Sequence, residues 1–256
     1  MARPMKRRER TLTDVLVVGA TSAIGSEVAR SFARSGARLF LVARNAERLA
    51  AVSEDLRVLG AGRVETAVLD VTHMDRHAAV LQSAIEALGD LDVALVAHGV
   101  LPDQSRCEAS VEETLRALEV NCTSTVALLT LLANYFEQRR GGCIAVITSV
   151  AGDRGRRSNY VYGTAKAALN TFLEGLRARL QPAGVSVLTV KPGFVDTPMT
   201  AGLPRNPFYA DPRRVGEDIY RAMLAGRDVV YVPWFWRPIM AAVRAIPVRI
   251  FKRISP

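Results

Sequence analysis

The last 28 positions of this 256-residue chain hold no acidic residue, and cysteine, histidine and tryptophan are scarce throughout. Three cysteines, Cys107, Cys122 and Cys143, are odd in number and follow no pairing pattern. That excludes a disulfide framework and suits a reduced compartment. His73 and His77 read as sharing a helix face but have no third ligand nearby, so no metal site is expected. Residues 1–12 lack the apolar core of a secretory signal, which predicts a cytoplasmic protein. There is no internal repeat, low-complexity tract or linker, and the length suits one α/β domain.

Charge is uneven. The net charge is +9, yet residues 1–10 carry five basic and one acidic side chain, and residues 229–256 add Arg237, Arg244, Arg249, Lys252 and Arg253. The two ends therefore account for the whole excess, and the body between them is neutral overall. A nucleic-acid binder spreads a basic face across its fold, so no nucleic-acid partner is expected. The boundaries that follow are a basic arm at 1–12, a domain at 13–233 and a C-terminal extension at 234–256.

Within the body, apolar runs at 14–18, 38–43, 64–69, 91–97, 143–148, 185–190 and 229–232 alternate with stretches long enough for crossover helices. This spacing predicts a parallel sheet. The first run, Asp14-Val15-Leu16-Val17-Val18, leads into Gly19-Ala20-Thr21-Ser22-Ala23-Ile24-Gly25. A helix follows to about Ser35, with Val28, Ala29, Phe32 and Ala33 at helical spacing. Strand, glycine-rich turn and helix together present backbone N–H groups and a positive helix end to a pyrophosphate.

Further on, Tyr162 and Lys166 stand four residues apart, on one face of a helix. The neighbouring cation is expected to favour phenolate and to lower the tyrosine pKa. Tyr160 has Thr164 at the same spacing, so only one of the two tyrosines has a cation. Ser149, thirteen residues upstream of Tyr162, is placed at a strand end, where its hydroxyl can hold a carbonyl or alcohol oxygen. These groups suit the movement of a proton while another group moves a hydride.

Gly19 and Gly25, Asn121, Ser149, Tyr162, Lys166 and Pro192-Gly193-Phe194-Val195-Asp196-Thr197 together resemble the ordered signature of the short-chain dehydrogenase/reductases, over roughly residues 12–233. The resemblance implies a single-domain, Rossmann-type doubly wound parallel sheet and a nicotinamide dinucleotide. It also implies a catalytic set in which Tyr162 is the acid/base and Ser149 polarises the carbonyl. Lys166 lowers the tyrosine pKa and holds the nicotinamide ribose, and Asn121 supports a proton-relay water. The implied cofactor residues are Gly19, Thr21, Ser22, Ala23, Ile24, Gly25, Asp70, Gly99, Pro192, Gly193, Val195 and Thr197, besides Tyr162 and Lys166. Homo-oligomers are usual in the family. Two positions depart from its pattern: Ala23 replaces the middle glycine of the turn. Val96-Ala97-His98-Gly99 replaces an Asn-Asn-Ala-Gly element, and His98 reads as packing near the adenosine half.

The second strand ends without a carboxylate to bind a ribose 2′-hydroxyl; Arg44 stands there with a fork suited to phosphate. NADP(H) is therefore favoured over NAD(H). Segment 201–214, with Pro204, Pro207 and Pro212, reads as a lid over the substrate. The extension from Trp234-Phe235-Trp236 through Phe251 mixes aromatic, aliphatic and basic residues. That mixture suits the surface of an anionic membrane, such as the inner face of a cell membrane, but the stretch is too short and proline-broken to span one. The run from Ala151 to Gly163 and this tail resemble the decaprenylphosphoryl 2-keto-pentose reductases. That likeness implies a polyprenylphosphate-linked keto sugar as substrate and a place in cell-wall synthesis. Arg154, Arg156 and Arg157 could then grip its phosphate. The alternatives are a reductase of another apolar ketone, with the arginines idle in a solvated loop, and a non-catalytic dinucleotide-binding scaffold.

Overall fold

In the computed structural model, which describes residues 12–254, seven strands form one sheet in the order β3-β2-β1-β4-β5-β6-β7. They are β1 (Asp14–Val18), β2 (Arg38–Ala43), β3 (Arg63–Val68), β4 (Val93–Val96), β5 (Cys143–Ile147), β6 (Ser186–Pro192) and β7 (Val229–Val232). Every pairing is parallel. The strands match the apolar runs to within a few residues. β4 is shorter at both ends, and Ala97 donates to the Val18 carbonyl just before the chain turns off at His98. β6 instead runs on to Pro192, which pairs in register with Val232.

Parallel strands need crossovers, and both faces of the sheet are covered as a result. On one face, α1 (Ala23–Arg34), α2 (Ala46–Val58) and α8 (Pro212–Leu224) bury Val28, Phe32, Leu56 and Ile219 against Val15, Val17, Leu39 and Leu41. On the other, α3 (His77–Leu88), α6 (Ser124–Arg139) and α7 (Tyr160–Leu180) bury Leu88, Leu132, Phe136 and Leu173 against Leu16, Val18, Phe40 and Ile144. Successive residues of β1 thus serve opposite cores, which explains why its sequence reads as an unbroken apolar run. Order reverses between β1 and β4, and at such a switch point a crevice opens at the carboxyl ends of the strands.

Local signals set the helix ends. Ser22 caps α1 by accepting from Gly25 N at 3.1 Å, and Asp211 caps α8, whose first residue is Pro212. Two short helices, α4 (Gln104–Ala109) and α5 (Val111–Leu118), lead through a π-helical turn, Glu119–Thr123, into α6. By length and composition alone, Val111–Arg139 would suffice to cross a membrane; its residues Leu128, Leu129, Leu132 and Phe136 instead pack on the sheet.

One expectation changes, at His73, and the two ends of the domain gain detail. Leu12, assigned to the basic arm, is buried in the core, and the rest of that arm lies outside the described residues. His73 does not share a helix face with His77, because a 3-10 turn at Met74–Arg76 separates it from α3. His73 is exposed, while His77 is buried and bonded to the Val71 carbonyl at 2.8 Å. The C-terminal stretch forms two helices, α9 (Trp236–Ala245) and α10 (Val248–Ile254), and α9 docks on the domain through Trp236 and Met240 beside Val150.

α1 and α8 approach so closely that a Cβ on Gly216 would lie 2.6 Å from Glu27 Cβ. Helix propensity favours alanine over glycine by about 1 kcal/mol, but overpacking costs about 1–3 kcal/mol and should win here. Gly216→Ala is expected to lower stability in a urea titration; a gain would show that the two helices part without cost.

Candidate active site

The strand ends at the switch point gather most of the residues singled out above. After β1, Gly19 and Ala20 both donate to the Val42 carbonyl, at 2.8 and 3.1 Å. Gly19 has φ of +87°, and a Cβ there would lie 2.5 Å from His98 N, so the turn needs glycine twice over. Ala23 opens α1, half-buried, and the helical backbone accommodates its methyl. Arg44 stands exposed after β2. Arg48, one turn into α2, reaches back to donate to the Thr21 carbonyl at 3.1 Å. Nothing in the sequence pattern marked Arg48, because its approach depends on how α2 lies against the glycine-rich turn. After β3, Asp70 accepts from Thr72 N and Oγ1 at 3.0 and 2.8 Å. These bonds, with a smaller contribution from Arg44, hold its carboxyl below the usual range.

Ser149 follows β5, in extended backbone, and its Oγ accepts from Ala151 N at 3.1 Å. Tyr162 lies in the first turn of α7, close enough to Ser149 for its hydroxyl to bear on the phenol. Tyr160 faces outward, 43% exposed. Lys166 lies 5.6 Å from the centre of the Tyr162 ring, is 3% exposed, and donates to the Ile147 carbonyl at 3.3 Å. Asn121 sits on the π-turn, where Oδ1 accepts from Val100 N and Nδ2 donates to the Ala117 carbonyl, both at 2.9 Å. A Cβ on Gly99 would lie 2.9 Å from Asn121 Oδ1 and 3.4 Å from Lys166 Nζ. Asn121, Lys166, Tyr162 and Ser149 therefore form one contiguous group. A local widening of the helix aims Asn121 into it.

The electrostatics differ from the expectation at Tyr162. Burial pushes its phenol up to about 12, and the Ser149 hydrogen bond opposes this only in part. The same burial brings Lys166 down to about 8. The ammonium approaches the ring of Tyr162, and desolvation of both groups outweighs the pull of a cation on the phenol. A protonated Tyr162 is the result. His98 is held neutral, its pKa down to about 3, first by burial and then by Lys166; its Nε2 bonds with Thr125 Oγ1 at 2.9 Å.

The arginines before α7 are placed differently from a phosphate grip. Arg154 Nη1 donates to the carbonyls of Val243, Arg244 and Ile246, at 2.8, 2.9 and 2.7 Å. Its guanidinium covers the Phe251 ring at 3.9 Å. It thus caps the end of α9 and pins α10. Arg156 reaches Met240 Sδ at 3.5 Å, and burial lowers its pKa. Arg157 is exposed. The run-up to α7 is therefore tied to the tail, a link that positions 90 residues apart could not disclose.

At the end of β6, Pro192, Gly193, Val195 and Thr197 lie on the same edge of the sheet as Gly19 and Ser149. The Trp236 indole sits against Gly193; a Cβ there would be 1.8 Å from its Nε1. Phe194 stacks on Tyr209 at 5.3 Å and meets Trp236 at 5.6 Å, while Phe208 meets Trp236 at 5.9 Å. The stretch 201–211 is thus joined to the tail by aromatic contacts. Among the described residues, no cluster of three or more His, Cys, Asp or Glu could hold a metal ion.

Comparison with known proteins places this geometry. Residues 13–207 match the short chain dehydrogenase family. An uncharacterized oxidoreductase of Mycobacterium tuberculosis (strain H37Rv) is 38% identical over 94% of this chain and 96% of its own length. Another from Streptomyces coelicolor is 35% identical, over 94% and 95%. A third, from Myxococcus xanthus, is 30% identical, over 88% and 89%. These names state oxidoreduction and specify no substrate.

The buried Lys166 gives a stability test. Its pKa falls from 10.5 to about 8 in the fold. Below about 8 the lysine is charged in both states and the fold bears the whole desolvation cost. Between about 8 and 10.5 the unfolded chain holds the extra proton, so stability rises with pH. Lys166→Met is expected to raise the melting temperature of the cofactor-free protein at pH 7, with the gain shrinking through that window. A gain independent of pH would assign it to packing instead of charge.

Proposed function

The chain belongs to the short-chain dehydrogenase family, and on that premise we propose that it is an NADP(H)-dependent reductase of a ketone, with a polyprenylphosphate-linked 2-keto sugar as its substrate. The observation that carries the reaction is Tyr162 set beside the buried Lys166, whose ammonium lies 5.6 Å from its ring, with Ser149 next to it. The residues fit the family's cofactor. Lys166 is a buried cation with no ion pair among the described residues, and its remaining N–H groups suit ribose hydroxyls. Held by the Gly19 turn, Lys166 and the Pro192-Gly193 turn, a nicotinamide would supply the hydride for a carbonyl carbon.

The chain's own groups do the rest. Ser149 and the Tyr162 hydroxyl donate to the carbonyl oxygen and stabilise the alkoxide as it develops. Tyr162 then transfers its proton to that oxygen, and a phenol held neutral at working pH is the form that can do so. The adjacent ammonium offsets the charge that appears on the phenolate. Asn121, fixed by Val100 N and the Ala117 carbonyl, holds a water through which the proton is replaced.

Arg44, exposed after β2, and Arg48, at the Thr21 carbonyl, support the preference for NADP(H), since guanidinium groups suit a 2′-phosphate. A lipid-linked substrate is supported by the aromatic cluster of Phe194, Phe208 and Trp236. Contact with an anionic membrane surface is supported by Trp234, Val248 and Ile250, which are 77%, 73% and 53% exposed among basic residues. Arg154 is committed to the tail and Arg156 is drawn towards Met240, so neither offers its guanidinium in full to a phosphate. That commitment favours the second reading, a reductase of another apolar ketone.

Three measurements test this. Tyr162→Phe is expected to abolish NADPH oxidation while NADPH binding stays nearly unchanged; comparable turnover would remove Tyr162 from the mechanism. Loss of a charge-assisted bond costs about 1.5–3 kcal/mol, so Arg44→Asp should cut the preference for NADPH over NADH by about 10- to 100-fold. An unchanged preference would place the reading of the 2′-phosphate elsewhere. Turnover of a polyprenylphosphoryl 2-keto-pentose in preference to its phosphate-free analogue would support the sugar. Turnover of phosphate-free apolar ketones alone would select the second reading.

A further inference from the structure

Between Ser149 and α7 the chain makes one 3-10 turn, Val150–Asp153, and three consecutive residues of this segment each touch a different part of the site. Gly152 lies flat on α7, where a Cβ would be 2.6 Å from the carbonyl carbon of Lys166. Arg154 caps α9, as described above. Between them Asp153, its side chain 2% exposed, accepts from Lys191 Nζ at 2.6 Å and from the Tyr231 hydroxyl at 2.7 Å. Lys191 immediately precedes Pro192-Gly193, and its side chain is 10% exposed. Its ammonium also lies 5.4 Å from the centre of the Tyr231 ring, on β7.

We propose that Asp153 and Lys191 are positioning residues: their buried ion pair, tied to Tyr231, holds the Ser149 turn at a set distance from the Pro192-Gly193 turn. The proposal takes the reductase reading of Ser149 and Tyr162 as given. Backbone pairing fixes β5 against β6 as far as Thr148, whose N–H donates to the Val190 carbonyl at 2.8 Å. Beyond that point, among the described residues, no ladder joins the two turns, yet one carries the carbonyl-polarising hydroxyl and the other is the cofactor loop. A hydrophobic pair at 153 and 191 would fill the same space, and buried ion pairs seldom stabilise more than such a pair does. What the ion pair adds is direction. A carboxylate with one oxygen on an ammonium and the other on a phenol cannot slide or rotate without leaving a buried charge unpaired.

The test separates position from stability. Asp153→Asn keeps the shape and removes the charge, Lys191→Arg keeps the charge, and Asp153→Leu with Lys191→Met replaces the pair by apolar groups. Amide hydrogen exchange is read at 149–153 and at 192–197 in the full-length protein, and NADPH oxidation is followed with 9,10-phenanthrenequinone as carbonyl probe. In Asp153→Asn, exchange is expected to rise at least about tenfold in both segments together, with β1 and β4 unchanged. Its kcat should fall at least about tenfold while the KM for NADPH holds within about twofold. The apolar double variant should regain the melting temperature but not kcat, and Lys191→Arg should retain most of kcat.

Faster exchange in one segment alone, or kcat returning with the melting temperature in the double variant, overturns the proposal. Absence of probe turnover in the unmodified protein counts against the reductase reading. Exchange alone then decides whether the two turns are coupled.

Discussion

Everything at the site follows from the covering of both faces of the parallel sheet. Each strand must be followed by a helix that returns the chain to the same edge, so the carboxyl ends collect on one side. Gly19, Gly99, Ser149 and Gly193 come from four different strand ends and meet there for that reason. The two cores anchor the arrangement: Phe32 and Leu56 on one face and Phe136 and Leu132 on the other are fully buried. The framework is rigid, and the turns at its edge are free to carry chemistry.

Burial then governs the chemistry of those turns. Desolvation disfavours charge on Tyr162, Lys166 and His98 alike, leaving a neutral phenol, an ammonium with a pKa of about 8 and an uncharged imidazole. Asp70 escapes because Thr72 supplies two hydrogen bonds to the charged form. A lysine without a counter-charge is an unstable element of a core. Its position next to a phenol makes sense as part of a site that a polar ligand completes and on which negative charge later develops.

The tail is joined to the catalytic edge more closely than its composition implies. Arg154 closes the end of α9, Trp236 sits on Gly193, and Phe208 bridges from the stretch after Thr197 to the same indole. A change in the seating of α9 would therefore be felt at both turns that flank Tyr162 and Lys166. The apolar residues of the tail divide their work: Trp236, Met240 and Phe251 face the domain, while Trp234, Val248 and Ile250 face outward.

Much of this was legible in the sequence. Seven apolar runs became seven strands because a doubly covered parallel strand must be apolar on both sides. The glycine-rich turn and the Tyr162–Lys166 spacing are local patterns, set by steric and helical periodicity, and they stood where expected. The sequence by itself thus determined the fold class and the residues that the strand ends bring together. Tertiary structure decided what those groups are worth: the tyrosine pKa rose where a neighbouring cation alone would lower it, because burial is a property of the whole fold. It also decided partners distant in the chain. Arg154 lies on the carbonyls of α9, Asp153 on Lys191, and Arg48 beside Thr21, because pairing across such separations depends on packing that no local spacing encodes.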